Sequence, residues 1–242
     1  DISGRRVPAE GLRPTENNLA FRAALAFRER TGWPAGFEIL LVKHIPVGGG
    51  LGGGSADAGG VLRALNAIAP APLPPADLHR VAASLGADVA FLASEHASAT
   101  GSGRGEILVP ATHEMPVANL LLVVPPFGIS TVDAYGWLGA SRRYAGSGAA
   151  WVALSVSGQH GWRSQDQGNT FENVIDERYP LIPAIRERLR AAGATIARMS
   201  GSGSTVFGLF EGHSLPPQNL DVDALVIPTR TSAKVVPVVV LE

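Results

Sequence analysis

The chain has 242 residues and a net charge of −1, and 45% of its residues are hydrophobic. This length predicts one large or two small domains, and the near-neutral charge provides no general attraction to nucleic acid or to an anionic membrane. Cysteine is absent, which excludes disulfides, thiolate metal sites and a cysteine nucleophile. No apolar run approaches the ~20 residues that span a bilayer. We therefore expect a cytoplasmic protein, monomeric or homodimeric, that binds neither nucleic acid nor membrane.

The first half of the chain is predicted to contain helices over residues 17–31, 56–69 and 76–85, and strands over 37–42, 87–92 and 106–110. The first helix has apolar residues at helical spacing, with Asn17 or Asn18 as its N-cap. Glycine ends two of the helices, at Gly32 and at Gly86. The strand over 37–42 reads as buried because it is a continuous apolar run.

The second half begins with an apolar strand over residues 119–126 and a helix over 131–138, followed by an amphipathic helix over 181–192 that ends at Gly193. Three further strands are predicted over 194–200, 205–210 and 235–242. Residues 144–167 are rich in Gly, Ser and Ala and are predicted to be loosely structured. The elements do not follow a regular βαβ alternation, so we predict an α+β fold with two domains, 1–115 and 116–242.

A glycine-rich loop separates the predicted strand over 37–42 from the helix that follows it. Six of the seven residues from 48 to 54 are glycine, and only Leu51 interrupts them. Glycine permits positive φ angles and a close approach of backbone N–H groups to a ligand. The N-terminus of the next helix adds free N–H groups and a partial positive charge. The loop therefore predicts a phosphate-binding site.

Three other interpretations of this loop fit less well. A flexible linker does not usually lie tightly between a buried strand and an apolar helix. A Rossmann site is formally present as G-x-G-x-x-G at Gly48, Gly50 and Gly53, but it needs an acidic residue about 20 positions later at the end of a second strand. That region is a helix end followed by a proline-rich turn. A Walker A loop requires Gly-Lys-Ser/Thr, and this loop has no lysine.

The segment P-V-G-G-G-L-G-G-G-S-A-D-A resembles the second motif of the GHMP kinases, a family of ATP-dependent small-molecule kinases. Its two glycine triplets are most similar to the family members of the non-mevalonate isoprenoid pathway. The resemblance implies the two-domain GHMP kinase fold, with the active site in the cleft between the domains. It also implies that ATP phosphates contact Pro46, Val47, Gly48, Gly49, Gly50, Leu51, Gly52, Gly53, Gly54, Ser55 and Ala56.

Two side chains beside the loop have more than one interpretation. Ser55 stands at the predicted helix start, where its hydroxyl would reach Mg²⁺ or a phosphate, or would simply cap the helix. The resemblance places the adenosine near Asn18 and Lys43, whereas the position of Lys43 at a strand end favours an exposed lysine.

Asp88 lies in the segment L-G-A-D-V-A-F, between Gly86 and an apolar run. By position alone it is a turn residue or a local cap, the commonest use of Asp in such places. The segment resembles the part of the GHMP kinases that carries the catalytic aspartate. The resemblance implies that Asp88 accepts the proton of the acceptor hydroxyl or orients that hydroxyl toward the γ-phosphoryl group.

A second glycine loop, S-G-S-G-S-T, lies between two predicted strands, where it is typical of a hairpin turn. It also resembles the third GHMP motif, which implies that Gly201, Ser202 and Gly203 line the substrate site. Thr131 is a further candidate substrate contact by the same resemblance. Its position at the start of a predicted helix favours the interpretation as an N-cap.

The family's first motif, a strand with P-A-K-I-N-L whose lysine acts beside the catalytic aspartate, has no match, and the chain begins at Asp1 instead of Met. We therefore expect a processed or shortened chain. The predicted activity is ATP- and Mg²⁺-dependent phosphorylation of a small-molecule alcohol of the non-mevalonate isoprenoid pathway. The alternatives are a GHMP kinase for homoserine, mevalonate or a sugar, and an inactive remnant that binds nucleotide.

Overall fold

The structure is a computed structural model, and it describes residues 2–4, 15–111, 117–141, 155–156, 162–163, 169–211 and 220–241. These residues form two compact units. The first unit takes the described parts of Asp1–Val47, Gly52–His113 and Lys234–Glu242. The second takes Gly48–Leu51 and the described parts of Glu114–Ala233. Among the described residues, none of the helices has the length and apolar character needed to cross a membrane.

The first unit consists mainly of helices. Its elements are β1 (Ile2–Gly4), a 3-10 turn (Thr15–Asn17), α1 (Leu19–Thr31), β2 (Leu41–Lys43), α2 (Gly53–Ile68), α3 (Pro75–Leu85), α4 (Ala87–Leu92), β3 (Ala99–Ser102) and β4 (Ile107–Pro110). Strand β1 pairs with β2 in parallel, and β3 pairs with β4 antiparallel. The core lies between the helices, where Phe27, Leu62 and Val89 pack with a set of alanines.

Helix α1 begins and ends as predicted. The Asn18 side chain caps it by accepting a hydrogen bond of 2.9 Å from the Ala20 N–H. Gly32 ends it with φ 75°, a conformation that suits glycine best. Its inward face consists of three alanines and Phe27, all fully buried. These small side chains let α1 and α2 pack closely.

Helix α4 replaces the strand that was predicted over residues 87–92. Val89 and Ala90 are both buried in the helical core, whereas in a strand adjacent side chains would face opposite ways. A six-residue apolar run fits either structure by its pattern, and here packing against α2 and α3 decides for the helix. A Cβ atom on Gly59 of α2 would lie 2.6 Å from the backbone carbon of Leu92. The two helices therefore meet at a point where only glycine fits.

Two other strand predictions need correction. The predicted buried strand over residues 37–42 is reduced to β2, and both Leu40, which precedes it, and Val42, which lies within it, are exposed. The described part of the C-terminal segment, 235–241, forms no strand. Its backbone is held by a single side chain at one point, where Arg63 donates to the carbonyl of Val236 at 2.8 Å. Apolar composition alone therefore overestimated strand content in the first unit.

The second unit is built on a four-stranded antiparallel sheet with the order β10-β5-β9-β8. Its elements are β5 (Asn119–Val124), α5 (Thr131–Ala140), β6 (Ser155–Val156), β7 (Trp162–Arg163), α6 (Glu172–Ile175), α7 (Leu181–Ala191), β8 (Ile196–Met199), β9 (Val206–Phe210) and β10 (Leu225–Arg230). Strands β5, β8 and β9 and helices α5 and α7 were predicted from the sequence, whereas β10 was not. Of the predicted loose segment 144–167, only β6 and β7 lie within the described residues.

Helix α7 covers this sheet with its apolar face. Ile182, Ile185 and Leu189 are fully buried on one side of the helix, as the predicted amphipathic pattern requires. They pack with Val206 and Phe210 of β9 in the main core cluster of the unit. The second glycine loop, between β8 and β9, is thus carried by a well-packed scaffold.

Candidate functional site

The first glycine loop links β2 to α2 by a backbone path that depends on glycine. Gly48, Gly50 and Gly52 have φ angles of 76°, 73° and 66°, a region that side chains disfavour. Helix α2 begins at Gly53, and its N-cap Gly52 makes no side-chain capping hydrogen bond. The first turn of α2 therefore presents backbone N–H groups that no cap side chain occupies. Such a helix start is suited to a phosphate.

Ser55 is not the N-cap of this helix, because α2 begins two residues before it. The predicted start at residue 56 was late, since the glycines were expected to remain outside the helix. Ser55 is instead part of the first turn and half-buried. The Ser55 hydroxyl therefore lies in the first turn of α2 and does not cap the helix.

The tip of the first glycine loop, Gly48–Leu51, meets the second glycine loop within the second unit. Thr205 donates its backbone N–H to the carbonyl of Gly49 at 3.1 Å. The Ser200 hydroxyl donates to the carbonyl of Gly50 at 2.9 Å. A Cβ atom at position 50 would lie 2.5 Å from the carbonyl oxygens of both Ser200 and Gly203. The fold thus brings together two loops that are 150 residues apart in sequence.

The second glycine loop is a hairpin connection that also makes contacts outside its own hairpin. It joins the antiparallel pair β8 and β9, as a hairpin connection does. It also contacts the first loop and the start of α5, because the Ser202 and Thr131 hydroxyls lie 3.0 Å apart. Ser202 and Gly203 are buried, whereas Gly201 is exposed.

The interpretation of Thr131 as an N-cap is wrong. Ser130 is the N-cap of α5, and its side chain accepts a hydrogen bond of 3.3 Å from the Asp133 N–H. Thr131 is the first helical residue, and its hydroxyl is directed to Ser202 instead of to the helix. Thr131 thus belongs to the group of polar side chains around the second glycine loop.

Asp88 is the second residue of α4 and lies in the first unit. The helix starts after Gly86, which has no side chain to cap it. The Asp88 side chain is exposed. None of the hydrogen bonds and ion pairs between described residues involves its carboxylate. Because no described residue competes for it, this exposed carboxylate is open to a ligand hydroxyl.

Lys43 is a residue that the sequence analysis misjudged. It was expected to be exposed, but its side chain is 5% exposed and forms an ion pair with Asp57 of α2. A Cβ atom on Gly53 would lie 3.5 Å from the Lys43 ammonium nitrogen, so this cation lies beside the first residue of α2. Asn18, the other residue assigned near the adenosine, caps α1.

These residues fit a nucleotide with its metal ion better than a metal ion bound by protein alone. Within the described residues, no group of three or more His, Cys, Asp and Glu side chains is close enough to hold a metal. Mg²⁺ is commonly held by one or two protein oxygens together with substrate phosphates. The uncapped start of α2 is suited to those phosphates.

Comparison with known proteins gives two family matches. Residues 18–98 match the GHMP kinases N terminal domain, and residues 158–218 match the GHMP kinases C terminal family. A protein of Pelotomaculum thermopropionicum named 4-diphosphocytidyl-2-C-methyl-D-erythritol kinase is 41% identical over 84% of this chain and 70% of its own length. A Geobacillus thermodenitrificans protein of the same name is 37% identical over 81% of this chain and 67% of its own length.

Solved structures agree with these matches. A crystal structure of 4-(cytidine 5'-diphospho)-2C-methyl-D-erythritol kinase superposes with a TM-score of 0.67 at 33% identity, covering 88% of this chain and 74% of that one. A Methanococcus jannaschii mevalonate kinase superposes with a TM-score of 0.56 at 10% identity, covering 90% of this chain and 78% of that one. The second likeness concerns the fold alone. The predicted α+β, two-domain family fold is confirmed.

Proposed function

Because this chain belongs to the GHMP kinase family, we propose that it transfers the γ-phosphoryl group of ATP to a hydroxyl group of 4-diphosphocytidyl-2-C-methyl-D-erythritol. The observation that carries the proposal is the 36–41% identity, over 80–87% of the chain, to several kinases named for that acceptor. Family members use ATP as the phosphate donor and a small molecule as the acceptor. A homoserine kinase and a mevalonate kinase share the fold but have only 18% and 10% identity.

The loop over residues 46–56 is the part of the chain that we assign to the ATP phosphates. Positive φ angles at Gly48, Gly50 and Gly52 orient the loop backbone, and the first turn of α2 adds uncapped N–H groups. We assign Mg²⁺ to the Ser55 hydroxyl together with these phosphates, where the ion would neutralise charge that develops during transfer. Binding through backbone N–H groups agrees with the absence of a Walker lysine in the loop.

We assign Asp88 to the acceptor hydroxyl. Its carboxylate accepts the hydroxyl proton or orients that hydroxyl while the oxygen forms a bond to the γ-phosphorus. The bond from that phosphorus to the β,γ-bridging oxygen breaks, and ADP leaves with the bonding electron pair. Phosphoryl transfer depends mainly on positioning and charge neutralisation, so one well-placed carboxylate is sufficient at the acceptor. The exposure of Asp88 and its lack of a described protein partner support this role.

The acceptor itself is assigned to Thr131, Gly201, Ser202 and Gly203. The linked hydroxyls of Thr131 and Ser202 offer both a donor and an acceptor of hydrogen bonds. We keep the predicted division into domains 1–115 and 116–242, a cytoplasmic location, and a monomer or homodimer as parts of the same proposal.

The test is ATP consumption by the purified chain with a panel of four alcohols. We expect ADP to form with 4-diphosphocytidyl-2-C-methyl-D-erythritol and not with homoserine, mevalonate or galactose, with mass spectrometry showing one added phosphate on the acceptor. Turnover only with one of the other three would overturn the proposed acceptor. Binding of ADP without turnover of any of the four would indicate an inactive nucleotide-binding protein.

A further inference from the structure

The edge of the second unit's sheet is held by side chains from the segment that leads into α6. Strand β8 lies at one end of the sheet order, and Met199 is its last residue before the second glycine loop. The side-chain nitrogen of Asn169 donates to the carbonyl of Met199 at 2.9 Å and to the carbonyl of Gly201 at 2.7 Å. The Asn169 oxygen accepts from the Phe171 N–H at 3.0 Å, which fixes the orientation of the amide.

Glu172 completes this arrangement from the first residue of α6. Its carboxylate accepts the Met199 N–H at 2.7 Å, and its other oxygen lies 2.6 Å from the Arg186 guanidinium. Both Glu172 and Arg186 are buried, and Arg186 also pairs with Asp176. The Met199 backbone is therefore bound at its N–H and at its carbonyl by two side chains of one short segment. Edge strands usually leave such groups to solvent or to another chain.

The residues that Asn169 and Glu172 bind, Met199–Gly201, form the stem of the second glycine loop. This stem continues directly into the contacts with the first glycine loop. Ser200, the residue after Met199, donates its hydroxyl to the carbonyl of Gly50. A Cβ atom on Gly201 would lie 3.2 Å from that same carbonyl oxygen. Because the Ser200 hydroxyl is hydrogen-bonded to the Gly50 carbonyl and there is no room for a side chain between Gly201 and Gly50, we expect a displacement of Met199 to move Gly50 as well.

We propose that Asn169 and Glu172 are positioning residues for nucleotide binding: they hold the stem of the second glycine loop, which in turn holds Gly48–Leu51 in its phosphate-binding conformation. This inference rests on the proposed function of the first loop. Neither residue needs to contact the nucleotide. Their effect is transmitted through the Met199–Ser200 backbone and the Ser200–Gly50 hydrogen bond. Loss of these bonds would leave the chain folded with a loop that populates its binding conformation only in part.

The central experiment compares two variants of Glu172. Glu172→Gln keeps an oxygen that accepts from the Met199 N–H but removes the charge that pairs with Arg186, whereas Glu172→Ala removes both. We expect both variants to lower the melting temperature, but only Glu172→Ala to raise the Kd for ADP and the KM for ATP, by about tenfold. We expect kcat to change less than threefold. A purely structural role would instead make affinity follow melting temperature in both variants.

A second pair of variants supplies the matched control. Asn169→Ala removes both donors to the loop stem and should also weaken ADP binding about tenfold. Arg188→Ala likewise removes a donor to backbone, at the carbonyls of Leu220 and Asp221, but none of the Arg188 hydrogen bonds among described residues reaches a glycine loop. We expect it to bind ADP within twofold of the unmodified chain. ADP binding by Asn169→Ala that matches this control would overturn the inference.

Failure of the proposed function is distinguishable from failure of this inference. If the unmodified chain binds ADP but does not phosphorylate the proposed acceptor, the acceptor assignment fails, and the ADP affinities still decide the role of Asn169. If the unmodified chain does not bind ADP, the proposed function fails. Hydrogen exchange over Gly48–Leu51 then decides: faster exchange in Asn169→Ala but not in Arg188→Ala supports the positioning role, and equal exchange refutes it.

Discussion

Among the described residues, each unit buries one basic side chain, and the two are neutralised in different ways. In the first unit, Lys43 pairs with a single carboxylate, Asp57, whose side chain is 23% exposed. In the second unit, Arg186 pairs with both Glu172 and Asp176, and the Arg186 and Glu172 side chains are less than 10% exposed. Both cations thus have a partly exposed aspartate as partner, 30% exposed for Asp176, but Arg186 in addition has a buried carboxylate, Glu172, enclosed with it.

This difference indicates a separate role for each of the two ion-paired cations, Lys43 and Arg186. The ammonium group of Lys43 lies beside the first residue of α2, close to the helix start that we assign to phosphates. Glu172 instead uses its second oxygen to hold the Met199 backbone. A cation whose partner is partly exposed can respond to an arriving anion, whereas Arg186 lies against a buried carboxylate that also binds the Met199 backbone. Lys43 is thus placed beside a helix start, and Arg186 supports the stem of the second glycine loop.

The largest expected effect tests whether the chemistry belongs to the first unit. Asp88→Asn keeps the shape of the side chain but removes its ability to accept a proton. We expect kcat to fall about 10³-fold, in the range typical of a lost general base, while the Kd for ADP stays within a few-fold. Steady-state kinetics and calorimetry measure the two quantities. Full activity in this variant would remove Asp88 from the proposed mechanism.

The next effect concerns the enclosed pair of Arg186 and Glu172. Arg186→Met leaves the buried carboxylate of Glu172 without its cation, so we expect the free energy of unfolding to fall by about 3–5 kcal/mol. Urea denaturation followed by circular dichroism measures it. A loss below 1 kcal/mol would mean that water reaches this carboxylate and that the pair is not enclosed.

The smallest effect concerns the open pair. Lys43→Met removes the cation but leaves Asp57 able to gain water, so we expect a loss of about 1–2 kcal/mol in the same denaturation experiment. The comparison between the units depends on this value being clearly smaller than that for Arg186→Met. Equal losses would show that the partial exposure of Asp57 has no energetic consequence.

Local signals in the sequence were sufficient for several elements. Helix α1 is bounded by two residues that favour helix ends, the N-cap Asn18 and the C-cap Gly32. Helix α7 has a strong apolar face. The two glycine loops were recognisable because their composition is unusual wherever the chain places them. Their contact with each other has no local signal in the sequence, since no spacing rule relates residues 50 and 200.

The elements and residue roles that were predicted wrongly or missed share a physical cause. The run 87–92 fits a strand or a helix by its pattern, and only packing against α2 and α3 decides between them. The C-terminal valines suggested a strand, whereas β10 lies earlier in the chain, where its residues pair with β5. Lys43, Asn169 and Glu172 carry no local signature. Their roles depend on partners that are 14 to 32 residues away, and sequence alone does not identify such partners.

The crossing of α2 and α4 at Gly59 has a practical consequence for engineering a more stable enzyme. Replacing glycine by alanine within a helix ordinarily gains about 0.5–1 kcal/mol, so both glycines in the middle of α2 would be natural targets. At Gly59 the added methyl group would collide with the backbone of Leu92, but at Gly60 it would meet no atom within 4 Å. Of these two adjacent glycines, Gly60 is therefore a suitable position for a stabilising alanine, whereas Gly59 should be left unchanged.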